Sequence, residues 1–304
     1  MASMTIRALD PERDAPRMVE LILATNPTAV TNTEEWLHRR RTIPDRAQLF
    51  SRIAQADDRI VGVVEAGLNF FGGGDVASLG VRVDPEHRTR GIGSELYSLG
   101  LEHVLDLGAR EATSLFDESA DGVAFATVRG WHEVRAEMLA AVDPREVADE
   151  PDPTVEVVPA AELDPRELHR IDEEATRDMP AFEAVTDIDY GEWLGFVWNN
   201  PLFTREGSFG ALVDGRVAAV SLLLVNTGAG RGLNMFTGTA REYRGRGLAY
   251  AVKLATTRWA AANGVTQVVT TNDESNLPML AVNRRLGYQP AGRRVEYLLE
   301  LRDS

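Results

Sequence analysis

Arg88-Thr89-Arg90-Gly91-Ile92-Gly93 and Arg244-Gly245-Arg246-Gly247-Leu248-Ala249 carry one pattern, R-x-x-G-x-[G/A], at two places in a chain of 304 residues. Each copy follows a strand-like run and opens a long amphipathic helix. Small residues let the backbone approach a ligand closely, and the free N–H groups of a helix start point outward, so each copy is a candidate anion cradle. One such motif is a weak signal. Two in matching surroundings are a statement about architecture.

The surroundings match in order. In the first half, Met4–Leu9 reads as a strand and Asp10-Pro11-Glu12 opens a helix to about Thr25. A second helix begins near Asn32. Strands follow at 49–56 and 60–71, a turn at Gly72-Gly73-Gly74-Asp75, and a strand at 77–83 that enters the first cradle. In the second half, Thr154–Val158 is a strand and Asp164-Pro165-Arg166-Glu167 opens a helix. Strands at 208–213 and 217–225 flank the hairpin signal Asp214-Gly215, and Leu233–Thr239 enters the second cradle. After each cradle helix come a strand (111–116, 267–271), a helix ending at Gly130-Trp131 or Gly287-Tyr288, and a final strand pair or hairpin, with the tails 135–142 and 294–301 reading as strands. Asp143–Pro153, rich in Pro, Asp and Glu, reads as the linker. A repeat of this length means duplicated domains, placed at residues 1–145 and 154–304.

Composition narrows the function. The formal net charge is −15, which disfavours nucleic acid and anionic membrane as partners. Cysteine is absent, so disulfides, thiolate metal sites and a cysteinyl acyl-enzyme are excluded. Five scattered histidines show no metal-ligand spacing, and no metal is expected. No apolar run approaches the roughly 18 residues of a membrane span, and no signal-peptide pattern is seen, so a cytoplasmic location is expected. Lys253 is the only lysine, and it is not part of a phosphate-loop motif. Leu96 and Tyr250 stand where a dinucleotide fingerprint would need glycine.

The layout, the two cradles and the distal segment Asn276-Leu277-Pro278-Met279-Leu280-Ala281-Val282-Asn283-Arg284-Arg285-Leu286-Gly287-Tyr288 resemble the GNAT superfamily of N-acetyltransferases over nearly the whole chain. The resemblance implies an α/β (α+β) fold of two tandem domains, each a mixed, mostly antiparallel twisted sheet flanked by helices. It further implies acetyl-CoA as co-substrate and transfer of the acyl group to an amine by direct attack. The family's splayed strand would pair with the pantetheine arm at Val81 and Val83, and at Thr237 and Thr239. The pyrophosphate would lie on Arg88, Arg90, Gly91, Ile92, Gly93 and Ser94, or on Arg244, Gly245, Arg246, Gly247, Leu248 and Ala249. Asn276 matches the family's CoA-contacting asparagine.

The chain also departs from the family pattern. The tyrosine that in many members protonates the leaving thiolate is replaced by Ala126 and Asn283. Asn283 can still donate a hydrogen bond, and Ala126 cannot. Ser119 stands at the position of Asn276, with Asp117, Glu118 and Asp121 beside it, where acids do not suit an anionic ligand. Catalysis is therefore assigned to the second half, and the first is expected to be non-catalytic. Asp273 or Glu274 is the expected general base. Asp178, Glu192 and, within 177–203, Met179 and the aromatics Phe182, Tyr190, Trp193, Phe196 and Trp198 are candidates for the acceptor side. A small-molecule amine is the expected acceptor. A protein amine, or a non-catalytic CoA-binding role, are the alternatives, and the oligomeric state is left open.

Overall fold

The computed structural model describes residues 4–70, 75–178 and 189–301. The glycine turn at 72–74, Met179 and Phe182 fall outside them. In chain order the first half gives β1 (Met4–Ala8), α1 (Pro11–Thr25), α2 (Thr33–Thr42), β2 (Phe50–Ala56), β3 (Arg59–Leu68), β4 (Val76–Val83), α3 (Ile92–Asp106), β5 (Glu111–Asp117), α4 (Ala120–Thr127) and β6 (His132–Val142). The second gives β7 (Glu156–Pro159), α5 (Pro165–Thr176), α6 (Tyr190–Trp193), β8 (Phe209–Val213), β9 (Arg216–Asn226), β10 (Arg231–Thr239), α7 (Leu248–Ala262), β11 (Gln267–Asp273), α8 (Leu277–Arg285) and β12 (Gln289–Glu300). The repeat read from the sequence is present as two units of the same mixed α/β architecture.

Local chemistry sets the boundaries. Asp10 and Asp164 cap α1 and α5 with their carboxylates, each followed by a proline in the first turn. Asp214 and Gly215, both at positive φ, make the tight turn joining β8 to β9. Residues 143–153 are anchored to the second unit: the Tyr250 hydroxyl donates to the Asp149 carboxylate, and Arg258 donates to the Asp149 carbonyl at 2.9 Å.

The described residues up to Ala136, together with those from Arg294 onward, form one compact unit; those from Glu137 to Arg293 form the other. Strand order is β1-β2-β3-β4-β5-β12 in the first and β7-β8-β9-β10-β11-β6 in the second. The two tails are thus exchanged. β12 runs antiparallel to β5 from Arg294↔Asp117 to Glu300↔Glu111, and β6 runs antiparallel to β11 from Val142↔Val268 to Glu137↔Asp273. Val295 and Tyr297 of β12 are buried among Leu79, Tyr97, Ala112 and Trp131. Val142 of β6 packs with Leu254, Val268 and Tyr288. Each tail is a single long strand, where a strand pair or hairpin was expected.

Each sheet has one parallel pair, and in both it is brief. β4 meets β5 only over Val76–Ser78, and β10 meets β11 only over Arg231–Leu233. Beyond those residues the strands part, which opens a splay in front of each cradle helix.

Candidate functional site

The splay leaves a strand edge without a partner, and the register shows which backbone groups face it. In an antiparallel ladder, residues alternate between those bonded across the pair and those pointing away. The Asp84 N–H donates to the Val61 carbonyl at 2.8 Å, so Arg82 also faces β3, while Val81 and Val83 face the open side. The Ala240 N–H donates to the Ala218 carbonyl at 2.9 Å, so Gly238 faces β9, while Thr237 and Thr239 face the open side. These are the four positions singled out in the sequence.

The edge leads directly into the cradle. Arg88 Nε donates to the Val83 carbonyl at 3.4 Å, and Arg244 Nε to the Thr239 carbonyl at 3.1 Å. The helices that follow are unusual within this chain. Of the eight α-helices among the described residues, only α3 and α7 lack a side-chain N-cap. Their cap residues are Gly91 (φ 84°) and Gly247 (φ 78°), with no atom within 4 Å of where a side chain would begin. The first-turn N–H groups of Ile92 and Gly93, and of Leu248, Ala249 and Tyr250, lie at the positive end of a helix dipole with no capping side chain over them, while the Ser94 N–H already donates to the Gly91 carbonyl at 3.0 Å. That arrangement takes an anion. Arg90 and Arg246 fold back onto the carbonyls of Glu86 and Glu242, at 2.9 and 3.4 Å.

The two sites are unequal. Thr89 holds φ 60° in the first cradle, where the second has Gly245 at φ 75°. A left-handed threonine costs on the order of 1 kcal/mol, which glycine avoids. Phe125 of α4 comes within 3.3 Å of a side chain placed at Gly93, and Arg129 covers Phe125 while bonding the Ser94 hydroxyl at 2.7 Å. The leading arginine does not distinguish them: Arg88 is paired with Asp121 at 3.1 Å and Arg244 with Asp178 at 2.7 Å. In the second unit, the buried Thr239 hydroxyl at the end of β10 and the buried Asn283 side-chain oxygen of α8 have no hydrogen-bond partner. Buried polar atoms are rarely left unpaired, so the Thr239 hydroxyl, on the strand that borders the splay, suits a bound group.

At the apex of the second splay lies a polar cluster that sequence reading did not identify. β10 carries a bulge between Asn234 and Phe236, whereas the pairing of β3 with β4 runs without one. Asn234 Nδ2 donates to Ser221 Oγ at 2.8 Å, Thr237 Oγ1 donates to Asn234 Oδ1 at 2.9 Å, and Thr270 Oγ1 donates to the Asn234 carbonyl at 3.1 Å. Lys253 Nζ donates to Thr270 Oγ1 at 3.4 Å and lies 4.9 Å from the Tyr288 ring centre. Ser221, Asn234, Lys253 and Thr270 are all buried. Single polar residues inside the apolar runs 217–225 and 267–271, and a lone lysine on the sheet-facing side of a helix, were the available signals.

Asn283 is buried, and its Nδ2 donates to Asn272 Oδ1 at 2.6 Å. Asn276 caps α8 by accepting from the Met279 N–H at 3.3 Å, as Ser119 caps α4. Asp273 accepts from the Ser275 N–H and hydroxyl at 2.8 and 2.5 Å, and Glu274 pairs with Arg293 at 2.8 Å. Asp178 bonds both Arg241 and Arg244, at 2.5 and 2.7 Å, and hydrogen bonds from those guanidinium groups hold its carboxyl down at about 2. Tyr190, Trp193, Phe196 and Trp198 pack with Leu168 and Ile171 in one core cluster. The Trp193 indole donates to the Asp172 carboxylate at 2.7 Å. Burial pushes that carboxyl up, against the bonds from Trp193 and Thr176.

Splayed strands, each running into an uncapped glycine-led helix, form a shape suited to an extended ligand with an anionic group at one end. The family model of the acetyltransferase (GNAT) family matches residues 15–130 and again 167–288, and the chain belongs to that family. Among solved structures, a GCN5-related N-acetyltransferase from Sphaerobacter thermophilus shares 22% identity at a TM-score of 0.71, covering 99% of this chain and 96% of that one. A tandem GNAT protein from the clavulanic acid biosynthesis pathway, described without AcCoA, shares 20% identity at a TM-score of 0.75, covering 99% and 100%. At these identities the likeness is one of fold. No curated protein matches by sequence. Among the described residues, no helix is long and apolar enough to cross a membrane, and no group of three acidic or histidine side chains could hold a metal ion.

Proposed function

We propose that the protein is an acetyl-CoA-dependent N-acetyltransferase acting on a small-molecule amine, with the second unit carrying the chemistry. The observation that carries this reading is the uncapped start of α7 joined to an open strand edge whose apex is polar. The α7 N–H groups and Arg244 would hold the pyrophosphate. The free groups of Thr237 and Thr239 would pair with the two amides of the pantetheine arm as an added strand does. A backbone N–H at the bulge would meet the oxyanion as the acceptor nitrogen attacks the thioester carbonyl. Attack is direct, because the chain holds no cysteine to carry the acyl group. The first unit has the same cradle with a left-handed Thr89, and Phe125 and Arg129 lie against the start of α3. It serves as a non-catalytic partner.

The test is release of free thiol from acetyl-CoA in the presence of a panel of small amines and of peptides. Amine-dependent release above the hydrolytic background supports the reading. Release with peptides alone would move the acceptor to a protein, and binding without any release would leave a non-catalytic CoA-binding protein.

A further inference from the structure

Lys253 is the only lysine of the chain and is fully enclosed, with 1% of its surface exposed. A buried ammonium is costly unless an anion pairs with it, and among the described residues no acidic group does so. The groups placed at its amine are Thr270 from β11 and the ring of Tyr288 following α8; Asn234 of β10 is reached through Thr270. Burial alone, with no carboxylate or guanidinium contributing, pushes the amine down to about 7. The Tyr288 hydroxyl is pushed up by burial and stays neutral. At the corresponding place in the first unit stands Tyr97, whose hydroxyl accepts a bond from the Trp131 indole at 3.1 Å and whose ring lies 5.3 Å from the Arg129 guanidinium. A lysine here is a feature of the second splay and not of the fold.

Its position suits the far end of the co-substrate. The cradle lies beyond Thr239, and the open edge runs back to Asn234 over five strand steps of about 3.3 Å each. That is the reach of an extended pantetheine arm, so a sulfur whose pyrophosphate sits at the cradle arrives at the apex. We propose that the Lys253 ammonium is the counter-charge for the thiolate that acyl transfer leaves at the apex of the second splay, with Thr270 setting its position. This rests on the function proposed above. In the transfer, the acceptor nitrogen forms its bond to the acyl carbon, the carbon–sulfur bond breaks, and the electron pair stays on sulfur. The proton lost by the acceptor nitrogen returns to the sulfur, so the reaction is proton-neutral, and Lys253 holds the sulfur's charge in the interval. The role is electrostatic and compensates for the absent tyrosine at Asn283.

A single lysine makes the test direct. Protein labelled with carbon-13 at the lysine ε position gives one side-chain resonance, which can be titrated with pH. The titration is run on the free protein and on its complexes with CoA and with desulfo-CoA, with binding measured by calorimetry in the same buffers. The expected result is a midpoint at least about one unit higher with CoA than with desulfo-CoA, a ten-fold change in proton affinity. Equal midpoints in two complexes that calorimetry shows to be formed would overturn the proposal and leave acyltransfer standing. Failure of both ligands to bind would refute the function and this role with it. In turnover, Lys253→Met should lower kcat ten-fold or more with KM for acetyl-CoA within two-fold; an unchanged kcat would also overturn the assignment.

Discussion

Replacing Lys253 with methionine should stabilise the protein. The amine falls from its usual 10.5 to about 7 on burial. At about 1.4 kcal/mol per unit, folding with this side chain costs roughly 5 kcal/mol when it must be buried charged, and roughly 4 kcal/mol at pH 7 where the neutral form shares the load. The sign follows from proton counts. Below about pH 7 the amine is charged in both states and the full cost applies. Between about 7 and 10.5 the unfolded chain binds more protons, so stability rises with pH across that window, and above it the cost is gone. Methionine has similar length and keeps contact with the Tyr288 ring, while the long bond to Thr270 is lost for about 1 kcal/mol or less. The net gain is roughly 3 kcal/mol at pH 7, shrinking to about 1 kcal/mol at pH 9. Denaturant unfolding of parent and variant at both pH values reads the gap. A variant no more stable than the parent at pH 7, or a gap that does not narrow at pH 9, would refute the reasoning.

Two further outcomes follow from the same geometry. Gly247→Ala forces an L side chain to φ 78°; it should cost about 1 kcal/mol in stability and weaken acetyl-CoA binding by calorimetry at least ten-fold by shifting the first-turn N–H groups. Tyr297→Ala removes a ring that is 5% exposed. It should destabilise the first unit by about 3–5 kcal/mol, while acetyl-CoA affinity, set by the second unit, stays within two-fold.

Much of the fold was legible because duplication repeats every local signal. The cradles, the aspartate–proline helix starts and the Asp214-Gly215 turn each appear where local chemistry requires them. Val81, Val83, Thr237 and Thr239 were named through the family resemblance, and the ladder register puts their backbone groups on the open side. The exchange of β6 and β12 was not legible: both tails are alternating strands of similar length, and nothing local distinguishes the edge of β5 from that of β11. Lys253 was visible as a lone lysine, but its burial depends on the side of α7 that packs on Thr270 and Tyr288. Asp178 illustrates the opposite case. A loop acid near aromatic residues suggested an amine site, yet its carboxylate is engaged by Arg241 and by Arg244 of the cradle itself.

Titration of the purified chain with acetyl-CoA by calorimetry tests the central claim most directly. The account predicts saturable binding near one per chain, abolished by Arg244→Glu and retained in Arg88→Glu. No heat at millimolar acetyl-CoA, or full binding in Arg244→Glu, would contradict it.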